Sequence, residues 1–121
     1  MKAELGRFFS AMREKLPGIR AVFLLDAGGE LLAHVVHGPP VDIETFASEH
    51  AMLLRIAQSA SRDSGMGELE EQTLTSATAT VFFHRLPKDR FAVFVCSPDE
   101  HLGRLRYELK RSLLYSTLLT L

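Results

Sequence analysis

The sequence has no tryptophan, a single cysteine, no marked charge excess and no long apolar run. One cysteine excludes an internal disulfide framework and fits a reducing compartment. Nowhere does the chain approach the about 18 apolar residues that a spanning helix needs. The N-terminal segment is interrupted by Glu4, Arg7, Arg13, Glu14 and Lys15, so it lacks the apolar stretch of a signal peptide. A formal net charge of −1 supplies no basic face for nucleic acid. The expectation is a cytoplasmic chain with no membrane span and no nucleic-acid partner.

What remains is ordinary for a folded protein. The 121 residues are 46% hydrophobic and 24% charged, which fits a single domain over 1–121 with one core. Leu5, Phe8, Phe9, Met12 and Leu16 recur at helical spacing and predict a helix over residues 2–16, stopped by Pro17-Gly18. Ala21 to Asp26 and Leu31 to Val36 read as two strands of a hairpin, with Ala27-Gly28-Gly29-Glu30 as its turn.

Pro39-Pro40 breaks the sheet. Asp42 then caps a second helix running to about Arg62, with Val41 and Phe46 placed as a hydrophobic staple. Three strands follow, at Leu69–Thr75, Thr78–Arg85 and Arg90–Cys96, with Leu86-Pro87-Lys88-Asp89 turning between the last two. Ser97-Pro98-Asp99-Glu100 has the form of a capping box, opening a third helix with Leu102, Leu105, Leu109 and Leu113 on one face. The order α-β-β-α-β-β-β-α predicts an α/β fold of the α+β kind. It would be a single, mostly antiparallel five-stranded sheet with one helix on one face and two on the other.

Two stretches carry a resemblance. The hairpin AVFLLDAGGELLAHVV, and VFVCSPDEHLGRLRYEL with Leu102, Gly103 and Arg106 at its helix start, together resemble the roadblock/dynein light-chain family. The element order matches over nearly the whole chain. That resemblance implies a roadblock-like fold and a homodimer that regulates or scaffolds a Ras-like small GTPase, including regulators of the GTPase-activating kind. It also implies pairing of the third strands and second helices across a two-fold axis.

The residues offer surfaces for such contacts. On the second helix, Ile43, Phe46, Ala47, His50, Leu53, Leu54, Ala57 and Ala60 form an apolar arc suited to covering the sheet. Glu44, Ser48, Arg55, Ser59 and Arg62 form the wet face. Met52 and Ile56 fall outside the arc, flanked by Leu53 and Ala60, and suit a helix–helix contact. The third strand is polar, as an edge strand is, and Leu69, Glu71 and Thr73 complete the candidate dimer or partner interface. The run LLYSTLLTL is apolar all round, which packing by the first helix or a further partner surface would each explain.

Catalytic constellations are missing. Cys96 ends an apolar strand and reads as a core residue, not a nucleophile with His101 as base. His34 and His37 point to opposite faces of an extended strand and cannot share a metal. Gly28-Gly29 precedes a strand, not a helix, and no P-loop is present. No catalytic residue, metal or cofactor is expected, and the chain does not read as an enzyme. Arg55, Arg62, Arg104 and Arg106 are the arginines placed for a finger, and nothing singles one out, with Arg104 and Arg111 positioned to pair with Glu108. Two alternatives stay open: a PAS- or GAF-like ligand-sensing domain, and a structural adaptor without effect on GTP hydrolysis.

Overall fold

The computed structural model describes residues 2–38 and 42–111. Its elements are α1 (Lys2–Lys15), β1 (Ile19–Asp26), β2 (Leu31–Val36), α2 (Ile43–Asp63), β3 (Glu71–Thr75), β4 (Thr80–Leu86), β5 (Arg90–Cys96) and α3 (Leu102–Arg111). The five strands form one sheet in the order β2-β1-β5-β4-β3, with every neighbouring pair antiparallel. The fold is the α+β arrangement that the element order predicts. The Val41–Phe46 staple, the Pro39-Pro40 break and the apolar run from Leu113 onward lie outside the described residues.

Both faces of the sheet are covered, so its central strands are buried on alternate sides. Leu5, Phe8, Phe9 and Met12 of α1 and Leu105 and Leu109 of α3 meet Val22, Leu24, Phe82 and Phe94 on one face. On the other, Ala51 and Leu54 of α2 meet Phe23, Phe83, Phe91 and Val93. This explains why β1, β4 and β5 carry apolar residues at successive positions, where a half-exposed strand would alternate. Phe8, Phe23, Phe82, Phe83, Phe91 and Phe94 are all fully buried. Each contributes about 1.5–3 kcal/mol by leaving water.

Three strand starts differ from the sequence expectation. β1 begins at Ile19, which pairs with Cys96 and is fully buried. Arg20 does not end the apolar strand, because its guanidinium lies outward and donates to the Thr78 carbonyl at 2.7 Å. β3 begins at Glu71, because residues before it are held in a loop in which Glu68 accepts from Arg62 and Arg85. Thr78 belongs to the β3–β4 turn, closed by Ser76 N–H donating to the Ala79 carbonyl at 2.8 Å.

The largest shift is at α3. The Ser97 segment forms a separate turn, and the helix starts at Leu102 with the Arg104 N–H donating to His101 Nδ1 at 3.2 Å. Glu100 does not close a capping box; its carboxylate accepts from Gly18 N–H at 2.7 Å, tying α3's approach to the α1–β1 turn. Glu108 pairs with Lys15 of α1 at 3.2 Å, and the Arg111 side chain expected beside it lies outside those described. A carboxylate with a cross-element donor in reach has less need of the local partner that spacing suggests.

The β1–β2 turn positions α2. Gly29 adopts a φ of +86°, and a Cβ there would lie 2.7 Å from the Ala51 Cβ. Glycine is needed twice over, for the left-handed backbone and for the close approach of the helix. Arg55 fastens the same contact by donating to the Gly28 carbonyl at 3.1 Å.

Candidate protein–protein interface

At the N-terminus of α2, Asp42 accepts from the Thr45 N–H at 3.1 Å and the Thr45 hydroxyl at 2.9 Å. These two donors hold the Asp42 carboxyl below its ordinary range and fix the helix start. From there the buried stripe runs Ala47, Ala51, Leu54, Gln58, one residue per turn. The covering face is therefore narrower than the expected arc, and rotated from it. Leu53 and Ala60 are exposed instead of covering the sheet, while Ala51 and Gln58 take the inward positions. The rotation follows from the hairpin turn: Gly29 admits a helix only where a small residue, Ala51, faces it.

That rotation enlarges the apolar ridge on the outer side of α2. At 3.6 residues per turn, Ile56 lies nearly opposite the buried stripe, with Met52 and Leu53 one turn before it. Their exposures are 65%, 49% and 38%, and Ala60 extends the ridge by a further turn. A lone exposed Ile is common on protein surfaces, whereas three large apolar side chains within about one turn form a patch.

β3 lies at one edge of the sheet, bonded on one side to β4. Thr73 is exposed on it. Leu69, in the loop before the strand, is half-buried and packs on the α2-side core. Glu71 faces the other way. Its two carboxylate oxygens each lie 3.0 Å from the Arg106 Nε, and His84 Nδ1 is 3.9 Å from one of them. The seven sequence candidates thus divide into an exposed helix ridge (Met52, Leu53, Ile56, Ala60), a strand edge (Glu71, Thr73), and Leu69, which is partly committed to the core.

Sequence spacing missed the Glu71–Arg106–Phe82 cluster, in which the Arg106 guanidinium carbon sits 5.2 Å from the Phe82 ring centroid. Its members are 11 and 24 residues apart along the chain, so only the β3–β4 pairing and the placement of α3 bring them together. Of the four arginines placed for a finger, Arg55 holds Gly28, Arg62 holds Glu68 and Arg106 holds Glu71. Arg104 is exposed. Burial pushes the Cys96 thiol up to about 12, which leaves it protonated and poorly nucleophilic near neutral pH. Among the described residues, no group of three or more His, Cys, Asp or Glu side chains could hold a metal ion. No helix among them is long and apolar enough to cross a membrane.

A five-stranded antiparallel sheet in the order β2-β1-β5-β4-β3, with α2 on one face and α1 and α3 on the other, defines a fold of the roadblock class. The model of the Roadblock/LC7 domain matches residues 10–96, and the chain belongs to that family. The PAS or GAF alternative is set aside by this membership. No protein of curated function matches the sequence.

Solved structures share the fold at low identity. The gliding protein MglB of Thermus thermophilus superposes with a TM-score of 0.79 at 18% identity, over 98% of this chain and 87% of that one. Myxococcus xanthus MglB gives 0.74 at 19% identity, over 90% and 87% of the two chains. An MglB solved in a tetrameric arrangement gives 0.75 at 20% identity, over 99% and 90%.

Proposed function

We propose that this chain, a single domain over residues 1–121, is a homodimeric regulator or scaffold of a Ras-like small GTPase that acts by protein binding in the cytoplasm. The observation that carries the reading is the solvent-facing apolar ridge Met52–Leu53–Ile56 on α2, in a fold whose β3 edge lacks a second strand partner among the described residues. Joining two copies through α2 ridges would bury apolar surface, and joining two β3 edges would satisfy backbone groups without needing apolar side chains. Likeness in fold to an MglB found in a tetrameric arrangement supports self-association. Likeness in fold to a gliding protein supports a role in the control of motility.

The reading assigns the chain no catalytic group of its own. Regulation would come from reshaping the GTPase, since three of the four arginines placed for a finger are held by acceptors within the fold. A structural adaptor would use the same surfaces and leave hydrolysis unchanged.

The deciding experiment pairs solution mass with nucleotide assays. Wild-type protein is expected to sediment as a dimer, and Ile56→Asp as a folded monomer. A small GTPase encoded beside this gene should co-purify with the wild type and show altered GTP hydrolysis or exchange. Monomeric wild type at micromolar concentration, or no binding together with unchanged hydrolysis and exchange, overturns the reading.

A further inference from the structure

Among the described residues, one end of the sheet is left uncovered beside the first turns of α2, leaving a cleft of about 360 Å³. That volume lies within the about 300–1,000 Å³ typical of small-molecule sites. Its floor is apolar, with Ala21 of β1, Val36 of β2, Val81 of β4 and Val95 of β5 at the ends of their strands. Phe46 and His50 of α2 form one wall as a stacked pair with ring centroids 3.9 Å apart. The wall is fixed in place: Phe46 also stacks on Phe23 at 4.5 Å. His50 Nδ1 is 2.8 Å from the Phe46 carbonyl oxygen, and because a carbonyl only accepts, Nδ1 is the donor.

The polar part of the lining includes one permanent charge, the Arg20 guanidinium. Arg20, His37 and His50 are its ionisable side chains, and no Asp or Glu lines the cleft among the described residues. Arg20 is anchored at the rim by its bond from Nη1 to the Thr78 carbonyl, with its other N–H donors left for a ligand. One guanidinium beside apolar walls matches a single carboxylate, since a guanidinium presents paired donors to its two oxygens. A phosphate or nucleotide would need more donors and fewer apolar contacts than the cleft supplies.

We propose that this cleft binds a small amphipathic monocarboxylate, with its apolar tail between the Phe46–His50 wall and the sheet and its carboxylate at Arg20 and His37. The site goes beyond the GTPase reading and does not depend on it, because binding is read on this chain alone.

The test is titration of the full ¹⁵N-labelled chain with octanoate, using octanol and octylamine as tail-matched controls. Octanoate is expected to shift the amides of Ala21, Val36, Ala79 and Val95, with octanol at least about tenfold weaker and octylamine weaker still. Arg20→Gln, at a partly exposed position, should weaken octanoate about tenfold while leaving the thermal melt near wild type. Ala79→Leu, placed to fill the cleft, should abolish the response. Equal affinity for octanol, shifts confined to Met52–Ile56, or undiminished binding by Arg20→Gln would each overturn the assignment. A change of oligomeric mass in Arg20→Gln without a change in octanoate affinity would overturn it too, assigning the cleft to a contact between copies.

Discussion

Arg106 on α3 holds Glu71 on β3, its Nε lying 3.0 Å from each carboxylate oxygen. The same guanidinium sits over the Phe82 ring, so one side chain joins the last helix, the edge strand and the strand beside it. Both charged partners remain partly exposed, which limits the strength of the pair by solvent screening. A double-mutant cycle of Glu71→Gln and Arg106→Ala should give a coupling of about 0.5–1 kcal/mol from urea unfolding. In 1 M salt the coupling should shrink, leaving mainly the ring contact of Arg106. Arg106→Lys should not restore it, because an ammonium cannot reproduce the planar stacking.

His84 makes stability depend on pH. Burial is the leading cause holding its imidazole below the ordinary 6.5, with Lys110 and Arg106 acting in the same direction and Glu71 and Glu70 against it. Glu71 lies 3.9 Å from Nδ1 and favours the proton, but the burial of the imidazole outweighs that attraction. A depressed folded value means the unfolded chain binds the proton more readily. This contribution is therefore fully present above pH 6.5 and is lost as pH falls from there through the folded value. Urea midpoints measured from about pH 8 to 5 should fall on the acid side in wild type, and by less in His84→Gln. An equal slope in the two proteins would remove His84 as the cause.

Cys96 should be silent until the protein unfolds. It is fully buried at the end of β5, paired with Ile19 and Thr80 on either side. With the thiol value raised to about 12, little thiolate is present near neutral pH. Reaction with a chromogenic disulfide reagent should be negligible in native buffer and stoichiometric in denaturant. Rapid native labelling would contradict the buried placement.

Gly29 tests how α2 is seated. Gly29→Ala meets both a φ of +86° and a Cβ 2.7 Å from the Ala51 Cβ, so it should cost about 1–3 kcal/mol. Gly28→Ala, where the added Cβ meets only the Asp26 side chain at 3.4 Å, is the control and should cost less. Comparable denaturant midpoints for the two variants would show that the close approach of hairpin and helix is not what selects glycine.

The fold was legible in the sequence to the extent that local chemistry determines it. Helical recurrence from Leu5 to Leu16, the glycine turn after Asp26 and the Asp42 cap each use partners a few residues away, and each element appears where that chemistry places it. The failures fall where a distant partner competes. Glu100 looks like a local helix partner and instead accepts from the Gly18 N–H. The candidate interface is legible in part: Met52 and Ile56 stand out on any helical projection, while Leu53 projects both onto the covering arc and beside that pair, and its exposure is settled only by the seating of the helix. A projection gives the relative angles of side chains and leaves the rotation of the whole helix against the sheet open.

By itself, then, the sequence determined the order of elements and carries no phosphate-cradling motif, because these follow from periodicity and residue type. Tertiary structure alone decided the facing of α2, the cluster around Arg106 and the cleft that gathers Arg20, His37 and His50. Each of these brings together groups from separate elements, and their meeting depends on how helices seat against a twisted sheet, which no short-range pattern encodes.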